Sequence, residues 1–379
     1  MKADAALESL RAAAANPLGL AASWKQKQPG RKVVGTFCSY SPEELITAAG
    51  ALPIRLLGAE IEISRADKHL QNYCCDLLRA ILEQKLAGEY EGIIDEVLFP
   101  HTCDSVQNLT DVWGETDERT ALSLYVPVRV NAPGADVLML GELEALRGRL
   151  AERLGASIDD AAIEQAIAAH DRGRQALLAL YERRRENPAA LPAADLEAVL
   201  RAFVAMPREE FAELAEALMN DLPAAGPDAR PRVMVVGATC GEAGLFAAVE
   251  QAGAAVVDDD VCVGSREFLG DYGTEGPPLQ RIARRMLERP TCPCKHAGVH
   301  DRNERLVARA RAAGVIGVVL TRWKFCEPHG FDIPDLRAAL QAAGLQTVDL
   351  ELSGGGTVTA PLNNRLAAFV ESLPAGGRR

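Results

Sequence analysis

The sequence predicts an α/β protein made of two open, doubly wound parallel-sheet domains with a helical segment inserted between them. Three observations carry this expectation. Strand-like runs alternate with helical ones over the first third of the chain. A long middle stretch carries helical periodicity alone, and the alternation resumes after a linker rich in proline and glycine. The 379 residues exceed one ordinary core. The boundaries fall at residues 1–136 for the first α/β domain, 137–225 for the helical segment and linker, and 226–379 for the second α/β domain.

In the first domain, KVVGTF at 32–37 reads as a strand. Ser41-Pro42-Glu43-Glu44 then opens a helix through 49, with Ser41 as N-cap, Pro42 at the first helical position and the acids in the first turn. Further strands are predicted at 53–57, 93–99 and 122–126, with helices at 75–86 and 104–113. Between about 138 and 222, Ala, Leu, Glu and Arg dominate, which predicts three or four helices broken near 155–159, 187–192 and 206–209. The segment 223–231 is the linker. Beyond it, strands are predicted at 232–236, 254–258, 315–320 and 347–352, with helices at 242–251, 278–288, 302–313, 335–342 and 363–372. Both sheets are expected to be of Rossmann/flavodoxin-like type.

Composition narrows the function. Charged residues make up 25% and hydrophobic ones 48%, as in ordinary globular proteins, and a net charge of −12 argues against a nucleic-acid groove. No apolar run approaches the ~20 residues of a membrane-spanning helix. Residues 1–15 read as an amphipathic helix rather than a signal peptide, so a cytoplasmic protein is expected. Nine cysteines in such a chain speak for metal or redox chemistry more than for disulfides.

Three of these cysteines, Cys75, Cys103 and Cys326, each sit where a strand or loop runs into a helix. A helix N-terminus stabilises a thiolate through its dipole and unpaired N–H groups. Convergence of the three would hold an iron–sulfur cluster with one iron left free. Cys74 adjoins Cys75 but points elsewhere, so one of the two is expected to be a ligand, and Cys75 is preferred. Cys38, at the mouth of the first strand, is a spare candidate or a small cleft-lining residue. Cys292-Pro293-Cys294 has no second such turn to pair with for zinc, and a structural role is expected. Cys262 follows Asp258-Asp259-Asp260, acids that read as a solvated loop and oppose a thiolate. The turn 237–244, which contains Cys240, matches neither phosphate-binding fingerprint. It reads as a tight turn. Gly354-Gly355-Gly356 reads as a loop beside the cleft.

Several segments together resemble the 2-hydroxyacyl-CoA dehydratase and benzoyl-CoA reductase family of iron–sulfur subunits. They are GTFCSYSPEELITAAGALPIRLLG, CCDLLRAILEQKLAGEYEGIIDEVLFPHTCDSVQNL, GAAVVDDDVCVGSREF, CPCKH, GVIGVVLTRWKFCEP and NRLAAFVESL, in the family's order and over nearly the whole chain. The resemblance implies one [4Fe–4S] cluster per subunit, with ligands falling at Cys75, Cys103 and Cys326. Asp76 stands where family members often have proline, which leaves Cys74 open beside Cys75. It further implies an acyl-CoA or aromatic-CoA substrate, a paralogous iron–sulfur subunit or a second copy as partner, and a separate ATP-hydrolysing activator that supplies electrons. In a dehydratase, one low-potential electron turns the thioester carbonyl into a ketyl radical that expels the neighbouring hydroxyl. Alternatives within the family are a ring-reducing benzoyl-CoA reductase subunit and a reductase of small molecules carrying a double-cubane [8Fe-9S] cluster. The latter would draw on Cys38, Cys74, Cys292 and Cys294. A non-catalytic electron-relay or scaffold subunit is the alternative from another class. For the proton donor the expected residues are Ser39, Tyr40 and Glu44 of the first strand–helix turn, and His101.

Overall fold

The computed structural model describes residues 3–116, 121–223, 226, 228–238, 244–353 and 358–374. Helices α1 (Ala3–Ala15) and α2 (Pro17–Gln26) come first, α2 being capped by Asn16, which accepts the Gly19 N–H at 2.9 Å. The first alternating unit runs β1 (Val33–Thr36), α3 (Glu43–Ala48), β2 (Leu52–Arg55), α4 (Asp76–Leu86), β3 (Glu96–His101), α5 (Asp104–Thr116) and β4 (Leu122–Tyr125). Its strands pair in parallel in the order β2-β1-β3-β4. β1 and β2 are buried throughout, as expected of strands covered on both faces.

Four helices follow: α6 (Ala135–Leu154), α7 (Asp160–Glu186), α8 (Ala193–Phe203) and α9 (Arg208–Asp221). The second unit then runs β5 (Arg232–Gly237), α10 (Leu245–Gln251), β6 (Ala255–Asp260), α11 (Ser265–Phe268), α12 (Pro278–Glu288), α13 (Asp301–Ala312), β7 (Gly317–Trp323), α14 (Glu327–Ala342), β8 (Gln346–Leu352) and α15 (Ala360–Ser372). Its parallel order, β6-β5-β7-β8, repeats that of the first sheet. Each sheet therefore reverses its winding beside its first strand, and ligands of such sheets bind beyond the carboxyl ends of the strands at that point.

Packing crosses the sequence boundaries. Val34, Leu98 and Leu124 of the first sheet share a core with Met139 and Leu143 of α6 and with Ile282 and Met286 of α12, which comes from after the linker. Leu10 of α1 joins Leu196, Leu200, Phe211 and the second-sheet residues Val233 and Val235. Two further differences from the sequence expectation bear on the site. α14 begins at Glu327 rather than at 335, because Pro328 occupies its first turn, where no N–H is needed, and the helix continues past Pro334. Asp258, Asp259 and Asp260 end β6 fully buried rather than in a solvated loop. At the end of β5, Gly237 has φ +148, and a Cβ there would lie 1.8 Å from the Thr321 carbonyl oxygen of β7, so only glycine lets the two strand ends close up.

Candidate metal centre

Seven cysteines, Cys38, Cys75, Cys103, Cys262, Cys292, Cys294 and Cys326, line one cavity of about 110 Å³ between the carboxyl ends of the two sheets. The three helix-start thiols are among them. Cys75 is the N-cap of α4, Cys326 is the N-cap of α14, and Cys103 immediately precedes α5. Three helix N-termini thus meet around the cavity. First-turn backbone N–H groups of Leu77, Val106 and His329 favour the charged form of Cys75, Cys103 and Cys326 respectively. The main chain also joins two of these starts directly, since the Asp76 N–H donates to the Lys324 carbonyl at 3.3 Å. Phe325, between Lys324 and Cys326, is the one described non-glycine residue with positive φ (61°). That strained turn aims Cys326 inward.

The thiols differ in charge. A hydrogen bond from the Cys75 thiol, helped by His329, draws Cys326 down to about 4, while the same bond and burial push Cys75 up. A hydrogen bond from Cys294 likewise lowers Cys103 and brings Cys292 down to about 5, and Cys294 itself is raised. Burial pushes Cys38 up, and Cys262 to about 11.

Buried cations stand behind the thiols. Arg266 Nη1 lies 3.5 Å from Cys262 Sγ, and its charge also favours the Cys292 thiolate. Arg55 lines the cavity, bonded to Glu267 (2.9 Å) and Glu43 (3.3 Å); burial works against its charge and these two carboxylates outweigh it. Lys295 donates to the Val126 carbonyl at 2.9 Å. With paired backbone bonds between His296 and Val128 and Val130, it fastens the Cys292–Cys294 strap to the first sheet's side. The rest of the lining is mostly apolar: Phe37, Leu56, Leu77, Val106, Val263 and Trp323.

Of the residues expected to handle protons, Ser39 lines the cavity and its carbonyl accepts from Arg289. Tyr40, Glu44 and His101 are not among the lining residues. Tyr40 is buried under the Arg289 guanidinium, 5.2 Å from ring centre. Glu44 accepts from Tyr272 and pairs with Arg285 at 3.5 Å, in a buried ionic network beside Glu43 and His170. His101 ends β3 with Nε2 3.2 Å from Thr110 Oγ1 and its ring against Tyr125. Cys74 stands half-buried outside the lining, beside Ser105. Cys240 and 354–356 fall outside the described residues.

Sequence reasoning missed the inward position of Cys262, and gave Cys292 and Cys294 a structural role except under the double-cubane alternative. It also missed Arg55, Arg266, Lys295 and His329. The pattern Cys-Pro-Cys-Lys was the available signal for the strap, and its partner at 126–130 is too distant in sequence to read. Asp258 is paired with Arg185 and Arg309 and Asp260 with Arg266 and Arg302, while Asp259 accepts from Tyr181 and the Val261 and Ser265 N–H groups.

Among the described residues no group of three or more His, Cys, Asp or Glu closes on one point as a lone ion requires. Thiols spread around a cavity suit a polynuclear iron–sulfur core instead. The donor set fits one, with thiolates favoured by helix starts, cations behind them and an apolar wall.

The sequence profile of the family described as "2-hydroxyglutaryl-CoA dehydratase, D-component" matches residues 38–373. The chain belongs to this family. It is thereby an enzyme subunit of the 2-hydroxyacyl-CoA dehydratase and benzoyl-CoA reductase type. It is 27% identical to lactoyl-CoA dehydratase subunit beta of Anaerotignum propionicum over 98% of this chain and 100% of that one. It is also 27% identical to (R)-2-hydroxyglutaryl-CoA dehydratase subunit beta of Acidaminococcus fermentans, again over 98% and 100%. With a benzoyl-CoA reductase subunit of Thauera aromatica the identity is 25%, over 93% and 94%. All three relatives are named as enzyme subunits. No helix among the described residues is long and apolar enough to cross a membrane.

Proposed function

We propose that this chain is the iron–sulfur subunit of a cytoplasmic 2-hydroxyacyl-CoA dehydratase, holding a [4Fe–4S] cluster through Cys75, Cys103 and Cys326. The observation that carries this is the meeting of three helix-start thiols, from both halves of the chain, at one cavity. A cluster held by these cysteines would supply low-potential one-electron chemistry at the substrate's thioester carbonyl.

The protein's own part is to dry, charge-balance and orient the site. Phe37, Leu56, Val263 and Trp323 exclude water from the cavity, while Arg55, Arg266 and Lys295 offset the thiolates. Ser39 is the expected residue within reach of a substrate hydroxyl. Tyr73, Phe325 and Phe331, exposed next to Cys74 and Cys326, fit cover by a paralogous subunit, and a separate ATP-hydrolysing activator would supply the electron. The test is oxygen-free purification with iron and sulfide assays on the wild type and on alanine variants of the three cysteines. About four irons per chain, lost in each variant, are expected. Zinc in place of iron and sulfide would overturn the reading.

A second reading is favoured by the four additional thiols on the same cavity, Cys38, Cys262, Cys292 and Cys294. They would support a larger double-cubane [8Fe-9S] cluster and reduction of small molecules. About eight irons per chain, falling by half in a Cys292→Ala variant, would select it.

A further inference from the structure

His329 is buried on the first turn of α14, three residues beyond Cys326. Its Nδ1 lies 3.2 Å from Cys326 Sγ, and its Nε2 lies 3.5 Å from Arg266 Nη1. A guanidinium has only donors to offer. The Arg266 contact therefore requires a lone pair on Nε2, which puts the ring proton on Nδ1, facing the sulfur. Arg266 cannot swing away to release this choice. Its Nε and Nη2 both donate to Asp260 Oδ2, at 3.0 and 2.8 Å, and Asp260 is gripped in turn by Arg302 at 2.6 Å. Arg302 is itself tied to Asp332 on α14 at 3.2 Å, so the chain of contacts closes on the helix that carries His329.

We propose that His329 is a positioning residue that donates an Nδ1–H···Sγ hydrogen bond to Cys326, with Arg266 selecting the tautomer, and so stabilises the reduced state of a cluster held by that sulfur. This rests on the iron–sulfur reading above. A hydrogen bond to a ligand sulfur stabilises the extra negative charge of the reduced core and raises its potential. Arg266 takes no part in proton transfer. It acts as a fixed post that orients the ring.

The experiment is a redox titration of the anaerobically purified full-length protein, with titanium(III) citrate as the one-electron donor, followed by electron spin resonance. His329→Leu removes the donor, whereas His329→Asn can place an amide N–H near the former Nδ1. The expected result is wild-type iron and sulfide in both. At a fixed potential the reduced fraction of the Leu variant should fall about tenfold relative to oxidised, a shift of ~59 mV for one electron, with most of it restored in the Asn variant. Equal potentials in an iron-replete His329→Leu variant and the wild type overturn the inference, as does an Asn variant indistinguishable from Leu. If the Leu variant fails to hold iron, the wild type decides. In protein labelled with nitrogen-15 histidine, pulsed spin resonance should show one coupled ring nitrogen, and its absence overturns the inference. A wild type without iron and sulfide is a separate result, which removes the iron–sulfur reading itself.

Discussion

Cys75, Cys103 and Cys326 each open a helix, whereas Cys38, Cys262, Cys292 and Cys294 sit on loops after strands or in the strap fastened to 126–130. Each thiol of the first set has a first-turn backbone N–H that favours its charged form, added to the thiol bonds from Cys294 to Cys103 and from Cys75 to Cys326. In the second set the arginines count for more: Arg266 favours the charged forms of Cys262 and Cys292, and Arg55 adds to a backbone bond at Cys38. Backbone support follows from where a helix begins and survives change nearby. Side-chain support is assembled from distant parts of the sequence and fails when one member is replaced. The two sets therefore differ in what can be deleted without emptying the pocket.

The largest expected effect separates them directly. Cys326→Ala removes one of the three sulfurs proposed to hold the cluster and should lose most of the bound iron. Cys262→Ala, by contrast, should keep the iron of a single cubane, and an iron assay on both variants decides. Next comes the ionic tie between the halves. Glu267→Ala leaves Arg55 buried with Glu43 as its remaining carboxylate, and a loss of about 1.5–3 kcal/mol is expected in denaturant unfolding. A smaller loss would mean that water reaches Arg55 and that the side-chain support of Cys38 is weaker than its burial implies.

The approach to Cys75 offers a third test. Glu83, fully buried on α4, accepts from the Ser64, Arg65 and Ala66 N–H groups at 3.0, 2.7 and 2.8 Å. Burial opposes its charge, but these bonds outweigh that and hold the carboxyl at about 2. A depressed carboxyl adds stability above its unfolded value and loses it as pH falls toward the folded one. Glu83→Gln should therefore cost about 2 kcal/mol at neutral pH and flatten the stability curve between about 4.5 and 2. A parallel acid limb in both proteins would contradict this. The smallest effect is expected at Phe325. Phe325→Gly relieves the positive φ and should stabilise by about 1 kcal/mol or less in thermal unfolding.

Local chemistry explains how much of this could be read in advance. The alternation of β-branched runs with capped helices gave both sheets, and cysteine before a helix gave three of the cavity thiols. What escaped depends on contacts between remote segments. Cys292 and Cys294 face inward because Lys295 and His296 pair with 126–130. Asp258 to Asp260 looked solvated because their partners come from remote helices: arginines of α7, α11 and α13 for Asp258 and Asp260, and Tyr181 of α7 for Asp259. Glu44 looked available for catalysis because Tyr272 and Arg285, which occupy it, lie more than two hundred residues away. α14 looked short because Pro334 normally ends a helix.

The bond from the Asp76 amide to the Lys324 carbonyl has a consequence for divergence. It ties the backbone beside the first of the helix-start sulfurs to the backbone beside the last, through an N–H that every residue except proline carries. In this chain side chains at 76 and 324 can change without loosening that tie, whereas a proline at 76 would remove its donor and free the two helix starts from each other.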